Sequence, residues 1–180
     1  MDDIVKAALK KWPDVPHCHG WLALDARGDW YMRDERVQAA GPFPLVKGSR
    51  ITHEKLREFI QRNYAGDDQG CWFFQTGPQR VYVELEATPW VWRISKTQGK
   101  APRIHSHTGL DAAFESAWLD QNGRLYLATD LGLGLVHTLD MEPAADAVSS
   151  GLWPPQEVQS AELPTRFGFV RKPLPAADKA

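Results

Sequence analysis

The sequence contains few cysteines and no block of positive charge. Only Cys18 and Cys71 occur among its 180 residues. That number excludes a disulfide-rich framework and favours a reducing compartment, although it leaves a single bridge open. Lysine and arginine total 21 against 23 acidic residues, for a net charge of −2. The chain therefore has no electrostatic footprint for nucleic acid or for an anionic membrane surface.

Long apolar runs and familiar catalytic signatures are also missing. No window approaches the roughly 18 consecutive apolar residues of a membrane span, and the opening Met-Asp-Asp does not resemble a secretory signal. We therefore predict a cytoplasmic protein. The nucleotide-binding, hydrolase and zinc-protease patterns G-x-x-x-x-G-K-[ST], G-x-G-x-x-G, G-x-S-x-G and H-E-x-x-H do not occur.

The composition, 43% hydrophobic and 24% charged, is that of an ordinary soluble globular protein. We predict a single α+β domain over residues 1–171, followed by a disordered tail over residues 172–180. The turn signals divide the domain into about eight to ten short strands, mainly in antiparallel hairpins. Two helices are expected to pack on the sheet.

Both predicted helices show apolar residues at helical spacing. The first covers residues 2–12 and ends before Pro13. The second begins after Thr52, a favourable N-cap, and presents an apolar stripe that includes Phe59 and Tyr64.

A central hairpin is predicted within residues 71–94, with its turn at Gly77-Pro78. From Arg80 onward, apolar and polar side chains alternate with the period of a strand. The expected register places Gln75 opposite Arg80 and Phe73 opposite Tyr82.

Two other stretches, starting at Leu24 and Leu119, share the template L-D-x-x-G-x-Φ-Y-Φ, in which Φ is apolar. Each predicts a hairpin, the first with a loop that sets Asp25 opposite Trp30. The shared template fits either duplication of a sheet unit or independent convergence of two hairpins on the same turn residues.

The polar face of the central hairpin is the main candidate for a ligand-binding groove. Its members are Phe73, Arg80, Tyr82, Glu84 and Glu86. Two carboxylates at i and i+2 on a strand stand side by side, an arrangement that acid–base chemistry uses when one pKa is raised. The alternative is a solvated sheet face that carries charge only for solubility.

Histidine patterns suggest a metal site as the second candidate. His105 and His107 form an H-x-H pair, and His137 on a later strand is the candidate third ligand for zinc or iron. This pair resembles that of a cupin-type β-barrel, although the glutamate expected a few residues later is missing. A second H-x-H pair flanks Cys18, where it suits a soft metal or a thiol of lowered pKa. Ordinary loop histidines and a plain linker are the respective alternatives.

The chain is also rich in tryptophan, with eight residues of this type. Exposed indoles would form stacking platforms for sugars, bases or prolines, whereas buried ones would build the core. Trp90 and Trp92 share one strand face, so both are buried or both are displayed. We expect them in the core.

The run W-F-F-Q-T-G-P-Q-R-V-Y-V-E-L-E-A-T-P-W, with G-W-L-A-L-D-A-R-G before it, resembles a proteobacterial family of small uncharacterised proteins, a domain of unknown function. The resemblance covers roughly residues 12–140 and implies a bacterial protein, but it carries no activity or catalytic residue. We expect a non-enzymatic, β-rich ligand-binding or protein-interaction domain without a cofactor. Its partner would be a small molecule or a protein, and homo-oligomer formation is open. The alternative is a metal-dependent, cupin-like enzyme that uses the histidine pair.

Overall fold

A computed structural model describes residues 1–97 and 99–175. Within these residues the chain forms 13 strands, five α-helices and one 3-10 helix. It is a mixed α/β protein with two large, mostly antiparallel sheets. The predicted numbers of strands and helices were too low, because several elements are too short for their periodicity to register.

The chain divides into two compact units. The first contains Met1–Asp25, Asp29–Glu86 and the chain from Phe169 onward, and the second contains Ala26–Gly28 and Ala87–Gly168. Whether residues 1–171 behave as one folding domain stays a prediction. Of the predicted disordered tail, residues 172–175 are described and Pro173 is buried, whereas residues 176–180 lie outside the described residues.

Strands of the first unit are β1 (Cys18–Leu24), β2 (Trp30–Met32), β3 (Ser49–Arg50), β4 (Tyr64–Gly66), β5 (Trp72–Thr76) and β6 (Gln79–Leu85). Strands of the second unit are β7 (Trp90–Thr97), β8 (Lys100–Ser106), β9 (Asp111–Ala112), β10 (Phe114–Asp120), β11 (Leu125–Thr129), β12 (Gly132–Val136) and β13 (Pro155–Val158). The α-helices are α1 (Asp3–Lys11), α2 (Glu35–Ala40), α3 (Glu54–Arg62), α4 (Met141–Ser149) and α5 (Leu163–Phe167), and the 3-10 helix is Thr138–Asp140.

Both predicted helices are present, as α1 and α3. The N-cap of α3 is His53 rather than the predicted Thr52, since the ring nitrogen of His53 accepts the Leu56 N–H. On the inner face of the first sheet, Phe59 of α3 meets Phe74 edge to face with ring centroids 5.4 Å apart. No helix among the described residues is long and apolar enough to cross a membrane.

The two sheets repeat one strand order. The first runs β3-β2-β1-β6-β5-β4, and six strands of the second run β9-β8-β7-β12-β11-β10, with β13 added beside β10. In each set of six, the strands that come first and last along the chain lie side by side in the middle of the sheet. They pair in parallel, β1 with β6 and β7 with β12. Each unit is thus built from two three-stranded meanders that meet along a parallel pair.

Four hairpins share one five-residue turn, which begins at Asp25, Asp67, Ser106 and Asp120. In each, the N–H of the first residue donates to the fifth carbonyl, and the first side-chain oxygen accepts the fifth N–H. The fourth residue is always glycine with φ between +74° and +87°, a conformation that other residues rarely adopt.

This turn explains the sequence template shared by the stretches that start at Leu24 and Leu119. The template joins the β1–β2 turn with the β10–β11 turn, whereas the topological counterpart of β10–β11 is β4–β5. The shared template therefore marks a turn type rather than equivalent positions in the two sheets. It also corrects the register of the first hairpin: Leu24, not Asp25, lies opposite Trp30, because Asp25 is used to cap the turn.

Tryptophans fill the core of the second unit, as expected. Trp90 and Trp92 are 6% and 0% exposed and stack with ring centroids 6.0 Å apart. The Trp92 indole donates to the carbonyl of Leu127 and lies over Gly134, where an added Cβ would be 2.3 Å from its Nε1 atom. Gly134 therefore provides the space that this large ring occupies.

Candidate functional site

The central hairpin has the predicted register, with Gln75 opposite Arg80 and Phe73 opposite Tyr82. Its polar face is not simply solvated. Glu84 is 7% exposed and Gln75 is 0% exposed. Burying a charge or an amide is costly unless it is hydrogen-bonded, so the groups that cover this face are part of its structure.

Strand β1 and the segment just before it bring two histidines onto this face. It pairs in parallel with β6 and is irregular between Cys18 and Leu22, where Gly20 adopts φ +78°. The His19 ring stacks on Tyr82 with centroids 4.6 Å apart, and His17 approaches the same ring edge-on at 5.9 Å. The two ends of the H-C-H motif thus converge on one tyrosine.

The β4–β5 turn supplies an acidic partner. One oxygen of Asp67 accepts the backbone N–H groups of Gln69 and Cys71 at 3.0 and 2.9 Å. Its other oxygen, Oδ2, accepts the Tyr82 hydroxyl at 3.2 Å and lies 4.0 Å from the Arg80 guanidinium. Asp67 therefore fixes the turn with one oxygen and orients Tyr82 with the other.

Arg80 rests on a buried aromatic ring. Its guanidinium carbon lies 4.3 Å from the ring centroid of Phe73, which is itself 4% exposed. Such a cation–π contact holds the guanidinium over the Phe73 ring. The backbone N–H of Arg80 donates to Nδ1 of His17 at 3.4 Å, which ties the histidine to the same strand.

Together these groups line an open cleft of about 420 Å³, which we term the His–Arg cleft. Its lining residues are His17, His19, Asp67, Asp68, Gln69, Cys71, Arg80, Tyr82 and Leu174. A second cleft of about 290 Å³ adjoins it and shares His19 and Leu174. The groove thus follows the polar face of β6, beneath the C-terminal segment that contains Leu174.

Burial and nearby charges shift three pKa values in the His–Arg cleft. Burial lowers the pKa of His17, and the charge of Arg80 lowers it further. Burial also lowers the pKa of His19, with a smaller effect from His17. Burial raises the pKa of the Cys71 thiol, as does the negative charge of Asp67. The environment thus favours two neutral imidazoles and a protonated thiol.

The second cleft contains a buried ion pair. Arg33 donates to Glu84 at 3.3 Å and to the carbonyl of Gly41 at 2.7 Å. The two charged side chains are only 2% and 9% exposed. The Nε atom of Arg33 is buried and has no hydrogen-bond partner among the described residues.

Glu86, the last predicted member of the polar face, lines neither of these two clefts. Lys47 donates to it at 3.1 Å and to Asp25 at 2.9 Å. Glu84 and Glu86 are therefore each bound to a separate cation and do not form a carboxylate pair. Arg80 and Tyr82 line the His–Arg cleft, Phe73 lies beneath Arg80, and Glu84 lines the second cleft.

The histidines of the metal hypothesis serve other roles in the second unit. Nδ1 of His107 accepts the Val91 N–H at 3.3 Å, and Nδ1 of His137 accepts the Leu139 N–H at 3.0 Å. His105 lies on β8 opposite Arg93. Within residues 1–97 and 99–175, no three His, Cys, Asp or Glu side chains form a group that could hold a metal. The cupin-like alternative is therefore not favoured, and both cysteines are free.

Sequence reasoning missed Asp67 and did not join the two histidines to the hairpin. The first omission had an available signal, because D-x-x-G at Asp67 repeats the pattern already noticed at Asp25 and Asp120. The second had none, since a parallel pairing between distant strands leaves no local signature.

Comparison with known proteins shows that the fold is similar to that of a solved structure. A DUF1285 family protein from Silicibacter pomeroyi DSS-3 matches at 14% identity with a TM-score of 0.50, covering 81% of this chain and 84% of that one. A DUF1285 family protein from Shewanella baltica OS155 matches at 16% identity and a TM-score of 0.47, covering 70% and 91%. No curated protein sequence matches significantly. The first likeness concerns the fold alone.

A family model described as "Protein of unknown function (DUF2946)" matches residues 1–174. That range includes all of the second unit, the first unit up to Leu174 and every residue of the His–Arg cleft. The chain belongs to this family.

Proposed function

We propose that the chain is a non-enzymatic ligand-binding domain whose site is the His–Arg cleft. The observation that carries this proposal is that two segments of the chain, residues 17–19 and residues 67–82, meet at the Tyr82 side chain. There they line an open cleft of about 420 Å³. Small-molecule sites usually have volumes of about 300–1,000 Å³ and a few well-placed polar groups. The cleft has both properties.

The chemistry of the cleft supports binding rather than covalent catalysis. Its thiol, Cys71, has a raised pKa, whereas a nucleophilic cysteine needs the thiolate. Its most buried carboxylate, Asp67, already accepts two backbone N–H groups and the Tyr82 hydroxyl. Neither group is therefore placed as an activated nucleophile or a free general base.

A titration followed by NMR tests the proposal. We would add phosphate, succinate, succinamide, choline and glucose separately to the full chain and follow the resonances of His17, His19 and Tyr82. At least one compound is expected to shift them saturably. Tyr82→Leu should abolish that response, because it removes both the stacking surface for His19 and the hydroxyl bound to Asp67.

The matched control is Tyr31→Leu, which alters a half-buried tyrosine on β2 of the same sheet. This variant should respond as the unmodified chain does. The proposal fails if no compound shifts the cleft resonances, or if Tyr82→Leu responds as the control does. Protein interaction and homo-oligomer formation stay predictions, which light scattering on the purified chain would measure.

A further inference from the structure

The His–Arg cleft offers more free hydrogen-bond donors than acceptors. Arg80 carries five guanidinium N–H donors. Its nearest carboxylate oxygen, Oδ2 of Asp67, is 4.0 Å away, and its side chain is 34% exposed. Within the described residues the guanidinium makes no hydrogen bond, and Arg80 lines the cleft, so its N–H groups are available to a ligand there.

The acidic partner is largely satisfied by its own surroundings. Asp67 is 15% exposed, and three donors already occupy its oxygens, two from the turn backbone and one from Tyr82. Asp68 also lines the cleft but is exposed, so water and salt screen its charge. The acidic side chains therefore leave most of the donor capacity of Arg80 available.

The histidines add to this donor surplus. Because Nδ1 of His17 accepts a backbone N–H, the neutral ring carries its own proton on Nε2, as a donor. The imidazole of His19 contacts Tyr82 by stacking, and it has no hydrogen bond among the residues that the structure describes. Each neutral ring offers one N–H, and each protonated ring offers a positive charge.

From this surplus we infer that the ligand of the His–Arg cleft is a small oxyanion, a carboxylate or a phosphate, held by Arg80 and by the imidazoles of His17 and His19. The inference rests on the proposed function and specifies the ligand class of the same site. A guanidinium fork matches either oxyanion through two parallel hydrogen bonds. Among the described residues that line the cleft, Arg80 is the one lysine or arginine.

Binding of such an anion is coupled to proton uptake. A bound negative charge opposes the burial and the Arg80 charge that lower the pKa values of the two histidines, so their pKa values rise in the complex. Affinity therefore increases as the pH falls through the histidine range. Besides the two histidines and Arg80, these charged or titratable groups line the two clefts: Asp67, Asp68, Cys71, Tyr82, Arg33, Glu84 and Lys172.

The decisive experiment compares succinate and phosphate with succinamide, the uncharged analogue of succinate, by NMR titration of the full chain. Succinate or phosphate should bind at least about tenfold more tightly than succinamide. Which of the two binds more tightly identifies the oxyanion. The affinity should be higher one pH unit below the ordinary histidine value of 6.5 than one unit above it.

Arg80→Gln should weaken anion binding by on the order of tenfold, and Arg80→Lys should weaken it less, because it keeps the charge and loses the fork. The matched control is Arg50→Gln, which removes an exposed arginine paired with Asp29 in the same unit. Unchanged spectra outside the cleft would show that each variant folds. The control should bind as the unmodified chain does.

Three results would contradict the inference, and they differ in what else they contradict. If succinamide, choline or glucose binds in the cleft as tightly as the anions do, the ligand class is wrong and the proposed function stands. If no compound shifts the cleft resonances even at tens of millimolar, both fail. An Arg80→Gln variant that binds anions as tightly as Arg50→Gln would also refute the role given to Arg80.

Discussion

Replacing Glu84 with glutamine should destabilise the first unit by about 3 kcal/mol. The substitution keeps the size of the side chain but removes its charge, which leaves Arg33 buried without its anion. Arg33 is 2% exposed and would retain only neutral hydrogen-bond acceptors, the carbonyl of Gly41 and the oxygen of the new glutamine. Its buried Nε atom already has no partner among the described residues.

The magnitude follows from the geometry of the pair. At the 3.3 Å separation of Arg33 and Glu84, two unit charges in an effective dielectric constant of about 20 attract by roughly 5 kcal/mol. The glutamine oxygen still accepts a neutral hydrogen bond worth about 1 kcal/mol, which offsets part of the loss. Removing one partner of a buried pair typically costs about 3–5 kcal/mol, and the isosteric change belongs at the lower end.

Glu86→Gln is the matched control, two residues further along the chain and directly after the end of β6. Its partner Lys47 is 36% exposed and also binds Asp25, so the expected loss is only about 0–1 kcal/mol. Native-state hydrogen exchange of the β1 and β6 amides is the appropriate assay, because it reports on the first unit alone. Equal losses from the two variants would refute the reasoning that burial sets the energy of these pairs.

Two further predictions concern a buried tryptophan and a buried tyrosine of the second unit. Gly134→Ala should destabilise that unit by about 1–3 kcal/mol, since the new Cβ would meet Nε1 of Trp92 at 2.3 Å. Urea unfolding would show this loss. Gly77→Ala, in the first unit, meets nothing within 4 Å, so it should leave the second unit unchanged and cost the first unit only the strain of its positive φ. Burial and then Asp120 raise the pKa of Tyr126 from 10.0 to about 12. The folded chain therefore holds that proton more tightly than the unfolded one, and the second unit should lose stability as the pH rises between these values. Absorbance titration of the unmodified chain against Tyr126→Phe would measure this pKa, and Asp120→Asn should lower it; an unchanged value would contradict the role of Asp120.

Local chemistry made the central hairpin predictable. The pairing of Phe73 with Tyr82 followed from period-2 alternation and from a turn signal at Gly77, both of which act within a few residues. The same alternation identified the polar face of β6 but not its burial. Glu84 is buried because Arg33, from the far end of the first hairpin, reaches it. Such a contact depends on how the meanders assemble, which no local pattern records.

In the His–Arg cleft, too, local patterns predicted some of the residues and long-range strand pairing brought in the others. Arg80 and Tyr82 were predicted as neighbours because they share a strand face. His17 and His19 join them only through the parallel pairing of β1 with β6. Asp67 was within reach of sequence reasoning, since its turn has the D-x-x-G form that also begins at Asp120. Recognising a turn by its repeated pattern would have added the carboxylate that orients Tyr82.

The return of the chain to the first unit at Phe169 has a consequence for synthesis. The Leu85 N–H donates to the carbonyl of Arg171 at 2.8 Å, and the Val170 N–H donates to the carbonyl of Gly70 at 2.9 Å. Both acceptor and donor on the returning segment are translated only after residues 87–168, so the ribosome completes the second unit before the first. Leu174, which lines both clefts, is among the last described residues to emerge. A nascent chain can thus form every strand of the first sheet and still lack one wall of the His–Arg cleft.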